Sequence, residues 1–244
     1  MGGAKWAPED AGSAAIGLWR LLALILATGA AGMDQAGVRA VEDCGALRAA
    51  LESNATARVN VSGALVCDAA AWGPAVVIRR NLTIAGAAKG GVAPSVDWAS
   101  GVGLIEAASG SNVLFRDMIL MFQGFGAVAV DIPFYFHQEA GETVLAGVVV
   151  AARVCPLAID NYQDILTRLV RPENVPGEQL ATVLDNSTLI VEELFVQRSE
   201  ALWRICRSGL YCGDDAEVMA ALLRGNATGS PCAEAAASKG SGGR

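Results

Sequence analysis

The one histidine of this 244-residue chain, His137, directly follows Phe134-Tyr135-Phe136. As a general base it needs an orienting carboxylate and a nucleophile within reach, and the sequence designates neither. A structural histidine beside an aromatic cluster is the simpler reading. The triplet itself offers other chemistry. Flat apolar ring faces suit the C–H surface of a pyranose while a phenol reaches its hydroxyls, so Phe134, Tyr135 and Phe136 are candidate sugar contacts, with core packing as the alternative. The paired acids Asp214-Asp215 stand just before Ala216 and read as a turn or a helix N-cap. With one histidine and no C-x-x-C pair the chain holds no zinc set. No catalytic residue, metal ligand or cofactor is assigned.

Asparagines and cysteines carry a second kind of chemistry. Five N-x-S/T sequons stand at Asn54, Asn60, Asn81, Asn186 and Asn226, where chance pairing of 8 Asn with 21 Ser and Thr predicts fewer than one. Six cysteines, Cys44, Cys67, Cys155, Cys206, Cys212 and Cys232, form an even set, which in an oxidising compartment implies up to three disulfides in fifteen possible connectivities. Proximity favours Cys44–Cys67 and Cys206–Cys212. Six buried thiols are the alternative.

The start of the chain agrees with secretion. Leu21–Met33 is uncharged and mostly apolar, follows Lys5 and Arg20, and ends in Gly29-Ala30-Ala31-Gly32, the layout of a cleavable signal peptide over residues 1–31. The alternative is an uncleaved anchor through residues 16–33, which would bury Arg20. Composition excludes other classes. Of the 53% hydrophobic residues, 45 are Ala, and the larger apolar remainder suits one sizeable core rather than many membrane spans. A net charge of −7 with only three lysines argues against nucleic acid as a partner.

These groups need elements to hold them. Asp43 is a plausible N-cap, and Leu47, Ala50 and Leu51 fall at i, i+3 and i+4, which predicts a short amphipathic helix ended by Asn54. Short β-branched runs follow at Val59–Val66, Val76–Ile84, Val113–Leu120, Ala127–Ile132, Thr143–Val150 and Ala181–Val196, with no long helix between them. An eight-residue pattern occurs twice, as Val113-Leu-Phe115-Arg-Asp-Met118-Ile-Leu120 and Leu189-Ile-Val191-Glu-Glu-Leu194-Phe-Val196. Side chains alternate along a strand, so both apolar pairs face one core only if the chain turns at Arg116-Asp117 and at Glu192-Glu193. Leu82-Thr-Ile84-Ala-Gly86 is a partial third copy. No Asn-Gly or Asp-Gly hairpin signal separates the runs. Beyond residue 200, Ala201–Ile205 and Glu217–Leu223 read as helical.

Cys44-x-x-Leu47-x-x-Ala50-Leu51, Val59-x-Val61-x-Gly63, Arg80-Asn81-Leu82-Thr83-Ile84-x-Gly86 and Ser111-Asn112-Val113-x-Phe115 together resemble the pectin-lyase-like right-handed parallel β-helix proteins. The resemblance runs from about Val41 to Val196. It implies an all-β fold in which stacked coils share an interior column and a short helix caps the open end. The expected organisation is a β-helix domain with its cap helix over 41–199, a helical, Cys-containing C-terminal cap over 200–232 and a disordered tail over 233–244. A β-sandwich or jelly roll is the alternative and predicts hairpin pairing.

Family enzymes supply two further comparisons. Tyr162-Gln163-Asp164-x-Leu166 resembles the Gln-Asp segment of pectin methylesterases, without their second aspartate segment. Asp214-Asp215 is similar to the adjacent aspartates of β-helix glycosidases, without the Gly-His-Gly and Arg-x-Lys segments. The expectation is a secreted or cell-surface glycoprotein without catalytic machinery, binding extracellular polysaccharide or a cell-wall or matrix glycoprotein. A divergent pectin-type polysaccharide lyase or esterase is the alternative.

Overall fold

A computed structural model describes residues 37–125, 135–137, 140–198 and 200–226. The expected signal segment 1–31, the expected strand Ala127–Ile132, Phe134, Cys232 and the tail 233–244 lie outside them. All of the described residues fall in one compact unit that begins at Ala36. The fold is all-β, dominated by one large, mainly parallel sheet with few helices.

The chain opens with β1 (Val38–Val41) and the expected helix α1 (Cys44–Glu52). Asp43 caps α1 by accepting from the Ala46 N–H at 2.7 Å, and the buried residues are the three that the spacing selects, Leu47, Ala50 and Leu51. After it come β2 (Arg58–Ser62), β3 (Ala64–Val66), α2 (Ala69–Trp72) and β4 (Val76–Ile78). The same three-strand circuit repeats as β5 (Leu82–Ala87), β6 (Ser95–Asp97) and β7 (Ile105–Ala107). It repeats again as β8 (Ser111–Arg116), β9 (Ile119–Gly124) and β10 (Tyr135–His137). A fourth circuit begins with β11 (Ala140–Ala146) and β12 (Val149–Val154).

Corresponding strands pair in parallel. In one ladder Arg58, Thr83, Leu114, Val144 and Arg204 stand in a single row, so each of the first three circuits consumes about 25 to 31 residues. Strand alternation then sends every second side chain inward. Val59, Ile84, Phe115, Leu145, Ile205 and Leu194 form one buried row, and Leu65, Val96, Leu120, Val150, Leu210 and Leu189 form another in the second ladder. A third ladder, β10-β7-β4, faces them as a separate sheet. Edge-to-face rings fill the space between: Trp72 on Trp98 at 5.1 Å, and Tyr135 between Phe115 at 5.4 Å and Trp203 at 5.6 Å.

The chain turns between the first two ladders at Gly63, Asp117, Gly147 and Arg207, all with positive φ. Asp117 and Arg207 hold this left-handed geometry without being glycine, at φ 55° and 44°, so neighbouring circuits must stabilise it. The corners bond to one another: Asp117 N–H donates to Ala146 O and Gly147 N–H to Cys206 O. Gly86 is where the next corner comes closest, since a Cβ there would lie 2.0 Å from Asp117 O.

The last circuit departs from the expected parallel succession. The step from Val144 to Arg204 is twice as long because α3 (Ile159–Thr167), β13 (Leu180–Asp185) and β14 (Thr188–Arg198) intervene before β15 (Glu200–Cys212). Strand β15 runs through both ladders, pairing with β11 and then β12. Strand β14 lies antiparallel to β15, and β13 antiparallel to β14.

Three expectations are corrected here. The octet at Leu189–Val196 does bend at its charged pair and turns its four apolar residues inward, but it runs in the opposite direction to Val113–Leu120. The β13–β14 hairpin forms without Asn-Gly or Asp-Gly: Asp185 pairs with Thr188, and its carboxylate accepts from the Ser187 N–H and hydroxyl at 2.8 Å each. Ala201–Ile205 is strand, not helix, because its residues continue the buried rows of β11.

The expected helix at Glu217–Leu223 is present as α4 (Ala216–Asn226). Its Met219 and Leu223 pack with Ile119, Val149, Ala151 and Tyr211 on the outer side of the second ladder. Helix α3 instead contributes Ile159, Tyr162 and Leu166 to the main core. No described helix is long and apolar enough to cross a membrane.

Candidate functional site

The cysteines are brought together by register and circuit rather than by sequence proximity alone. Cys44–Cys67 forms as expected, tying α1 to the residue after β3 with Cα atoms 5.5 Å apart. Cys212 bonds to Cys155, 57 positions away, with Cα atoms 5.8 Å apart. The expected Cys206–Cys212 bridge is therefore not formed. Both lie on β15, six residues apart on an extended strand, which carries them far beyond disulfide reach. No described cysteine is a free thiol.

Of the expected sugar contacts, Tyr135 faces inward, 4% exposed, with its hydroxyl 3.1 Å from Thr143 Oγ1. Burial pushes its phenol pKa up. Its ring belongs to the core, which is the alternative reading of the triplet. Phe134 lies outside the described residues, as do the side chains of Phe136 and His137. Asp215 caps α4, its carboxylate accepting from the Glu217 and Val218 N–H groups at 2.9 and 3.1 Å. The Tyr162-Gln163-Asp164 segment lies on α3. There Tyr162 is buried, Gln163 donates to Ala181 O, and Asp164 pairs with Arg168 at 2.7 Å on an exposed face.

The sequons differ in exposure. Asn54, Asn81 and Asn186 are exposed, Asn60 is half-buried and accepts from Arg58 Nε at 2.9 Å, and Asn226 is 9% exposed with its Nδ2 buried. Asn81 and Asn112 form an outward ladder. Asn81 Oδ1 accepts from the Asn112 N–H at 3.1 Å, and Asn112 Oδ1 from the Glu142 N–H at 3.0 Å.

Two polar clusters have no local sequence signal. On the second ladder the Arg153 guanidinium grips Asp97 with both Nη atoms, while Asp97 also accepts from the Ala99 N–H at 2.9 Å. Burial alone would raise the Asp97 pKa. The hydrogen bonds from Arg153 and Ala99 and the attraction of the guanidinium outweigh it and hold that pKa below the ordinary carboxylate value. On the first ladder Phe195 lies between Arg171, 4.4 Å from its ring centroid, and Arg204, at 5.0 Å. Arg171 also pairs with Glu193 at 3.0 Å and Arg204 with Glu142 at 3.7 Å.

An open, shallow recess of about 320 Å³ is lined by Glu192, Arg207, Gly225 and Asn226. It follows from the corner. The pairing of β14 with β15 steps from Val191–Ser208 to Glu193–Cys206, which leaves Glu192 and Arg207 to splay outward where both strands bend. The end of α4 closes the third side. A guanidinium beside a carboxylate in one polar recess can hold a carboxylate and hydroxyls, while the Asn226 Nδ2 stays buried. Glycosidic hydrolysis would ask for two flanking carboxyls, and this lining has one. Sequence reading marked Glu192 as the outside of a corner and Asn226 as a sequon. Arg207 carried no signal.

Comparison with family models, curated proteins and solved structures returns no match.

Proposed function

We propose that the chain is a secreted or cell-surface glycoprotein whose ladders wind as a right-handed parallel β-helix of the pectin-lyase-like kind, and that it binds an extracellular polysaccharide without cleaving it. The observation that carries this reading is the repeated three-strand circuit in parallel register, held at both ends by disulfides. Parallel strands joined by crossovers in one sheet are almost always right-handed, which supports the hand. Structural disulfides suit an oxidising compartment, which supports export.

Within this reading the corner recess takes an acidic sugar. Arg207 receives the carboxylate and Glu192 accepts from a ring hydroxyl. The test is binding of the mature protein to polygalacturonate and other acidic glycans on an array. Arg207→Ala should lose a charge-assisted bond of about 1.5–3 kcal/mol, roughly ten- to a hundredfold in affinity, while the exposed Asp164→Asn variant binds as wild type. Binding to no glycan overturns the carbohydrate reading. Release of unsaturated sugars, or release of methanol that Asp164→Asn abolishes, would make the chain an enzyme instead.

A further inference from the structure

The large sheet ends on strands with one partner each. Among the described residues β1 pairs only with β2, β3 only with β6, and β13 only with β14. An unpaired strand edge is a template for a second chain unless something covers it. Register shifts at Leu180/Ala181 and Val183/Asp185 interrupt β13 but leave its side chains open to solvent. Arg39 and Ala40 of β1 are exposed, and β13 exposes Leu180 at 48% and Leu184 at 58%. Gln163 covers one carbonyl of β13, that of Ala181.

Two sequons lie near the ends of β1 and β13. Asn54 lies in the turn between α1 and β2, where Gly37, the residue before β1, accepts from the N–H groups of Ala57 and Arg58 at 2.7 and 2.9 Å. Asn186 is in the two-residue turn that ends β13, next to exposed Leu184 and Asp185. Both side chains are exposed. Asn226 differs, since its Nδ2 is buried against Gly209 and not open to glycan attachment while α4 is docked.

We propose that N-glycans on Asn54 and Asn186 guard the sheet at β1 and β13 and keep the chain from stacking end to end on itself, and that Asn226 carries none in the folded protein. A glycan is bulky and solvated, so one near each of these two strands obstructs an approaching chain without occupying the strand's hydrogen-bonding groups. The proposal rests on the secretory reading above.

The experiment uses the full chain secreted from cells that attach N-glycans. Site occupancy is read by peptide mass spectrometry after enzymatic deglycosylation in heavy-oxygen water, and mass in solution by light scattering. The expected result is glycan at Asn54 and Asn186, none at Asn226, and a monomer. Enzymatic trimming of the native protein, or the Asn54→Gln/Asn186→Gln variant, should at least double the scattering mass as concentration rises. Thr83→Ala, which removes the Asn81 sequon but keeps its side chain, should stay monomeric. Trimmed protein that remains a monomer, or glycan at Asn226 of the folded form, overturns the proposal and leaves the secretory reading standing. A secreted chain with no sequon occupied overturns the proposal, and failure of export overturns the secretory reading itself.

Discussion

Asp97 and Arg153 are 56 positions apart, and only the stacking of β6, β9 and β12 sets them together. Because the folded-state pKa of Asp97 is depressed, its contribution to stability is complete above the ordinary carboxylate value of about 3.9 and is lost as pH falls through its lower folded value. Asp97→Asn should cost about 1–3 kcal/mol in urea unfolding at neutral pH and flatten the acid limb of the stability profile. An unchanged acid limb would assign that limb to other carboxylates. Gly86→Ala tests the close approach of the corner. The added methyl meets a backbone oxygen that cannot swing away, so a loss of about 1–3 kcal/mol is expected. Phe115→Ala, which empties an inner row beside Tyr135, should cost about 3–5 kcal/mol.

At the scale of elements, α1 was the most legible. A cap residue and three apolar positions specify it locally, and Asp43→Ala should remove about 1 kcal/mol in thermal unfolding. Strands β2, β3, β8, β9, β11 and β12 were equally plain as β-branched runs. Strands β6 and β7 were not, being three residues each, with one or two inward side chains and no pattern long enough to register. The misreading of Ala201–Ile205 has a physical cause. Ala201, Leu202, Ile205 and Cys206 suit a helical stripe, but β11 offers a row of unpaired backbone groups that the segment completes as strand. Gln179 shows the same need. Its amide donates to Phe195 O at 2.6 Å and accepts from Phe195 N at 3.0 Å, standing in for a strand neighbour just before β13 begins.

At the scale of the molecule, the Cys155–Cys212 bridge joins the end of β12 to the end of β15 and so locks the long insertion of α3, β13 and β14 into the last circuit. Replacing both cysteines with Ala should cost about 2–4 kcal/mol by denaturant unfolding, with hydrogen exchange rising first in β13 and β14. Uniform loosening of all strands would show that the bridge does not act locally.

The amino-acid order by itself determined the inward residues, the cap of α1, the bend at each charged pair, and an all-β fold. Each of these depends on neighbours within a few positions, through the two-residue period of a strand or the 3.6-residue period of a helix. Tertiary structure decided the direction of β14, the partner of Cys212, the inward turn of Tyr135 and the meeting of Glu192 with Arg207 in one recess. Those outcomes depend on which distant backbone lies alongside. Alternation of side chains is the same for a strand read in either direction, so its pattern shows which face is buried and not which way its neighbour runs.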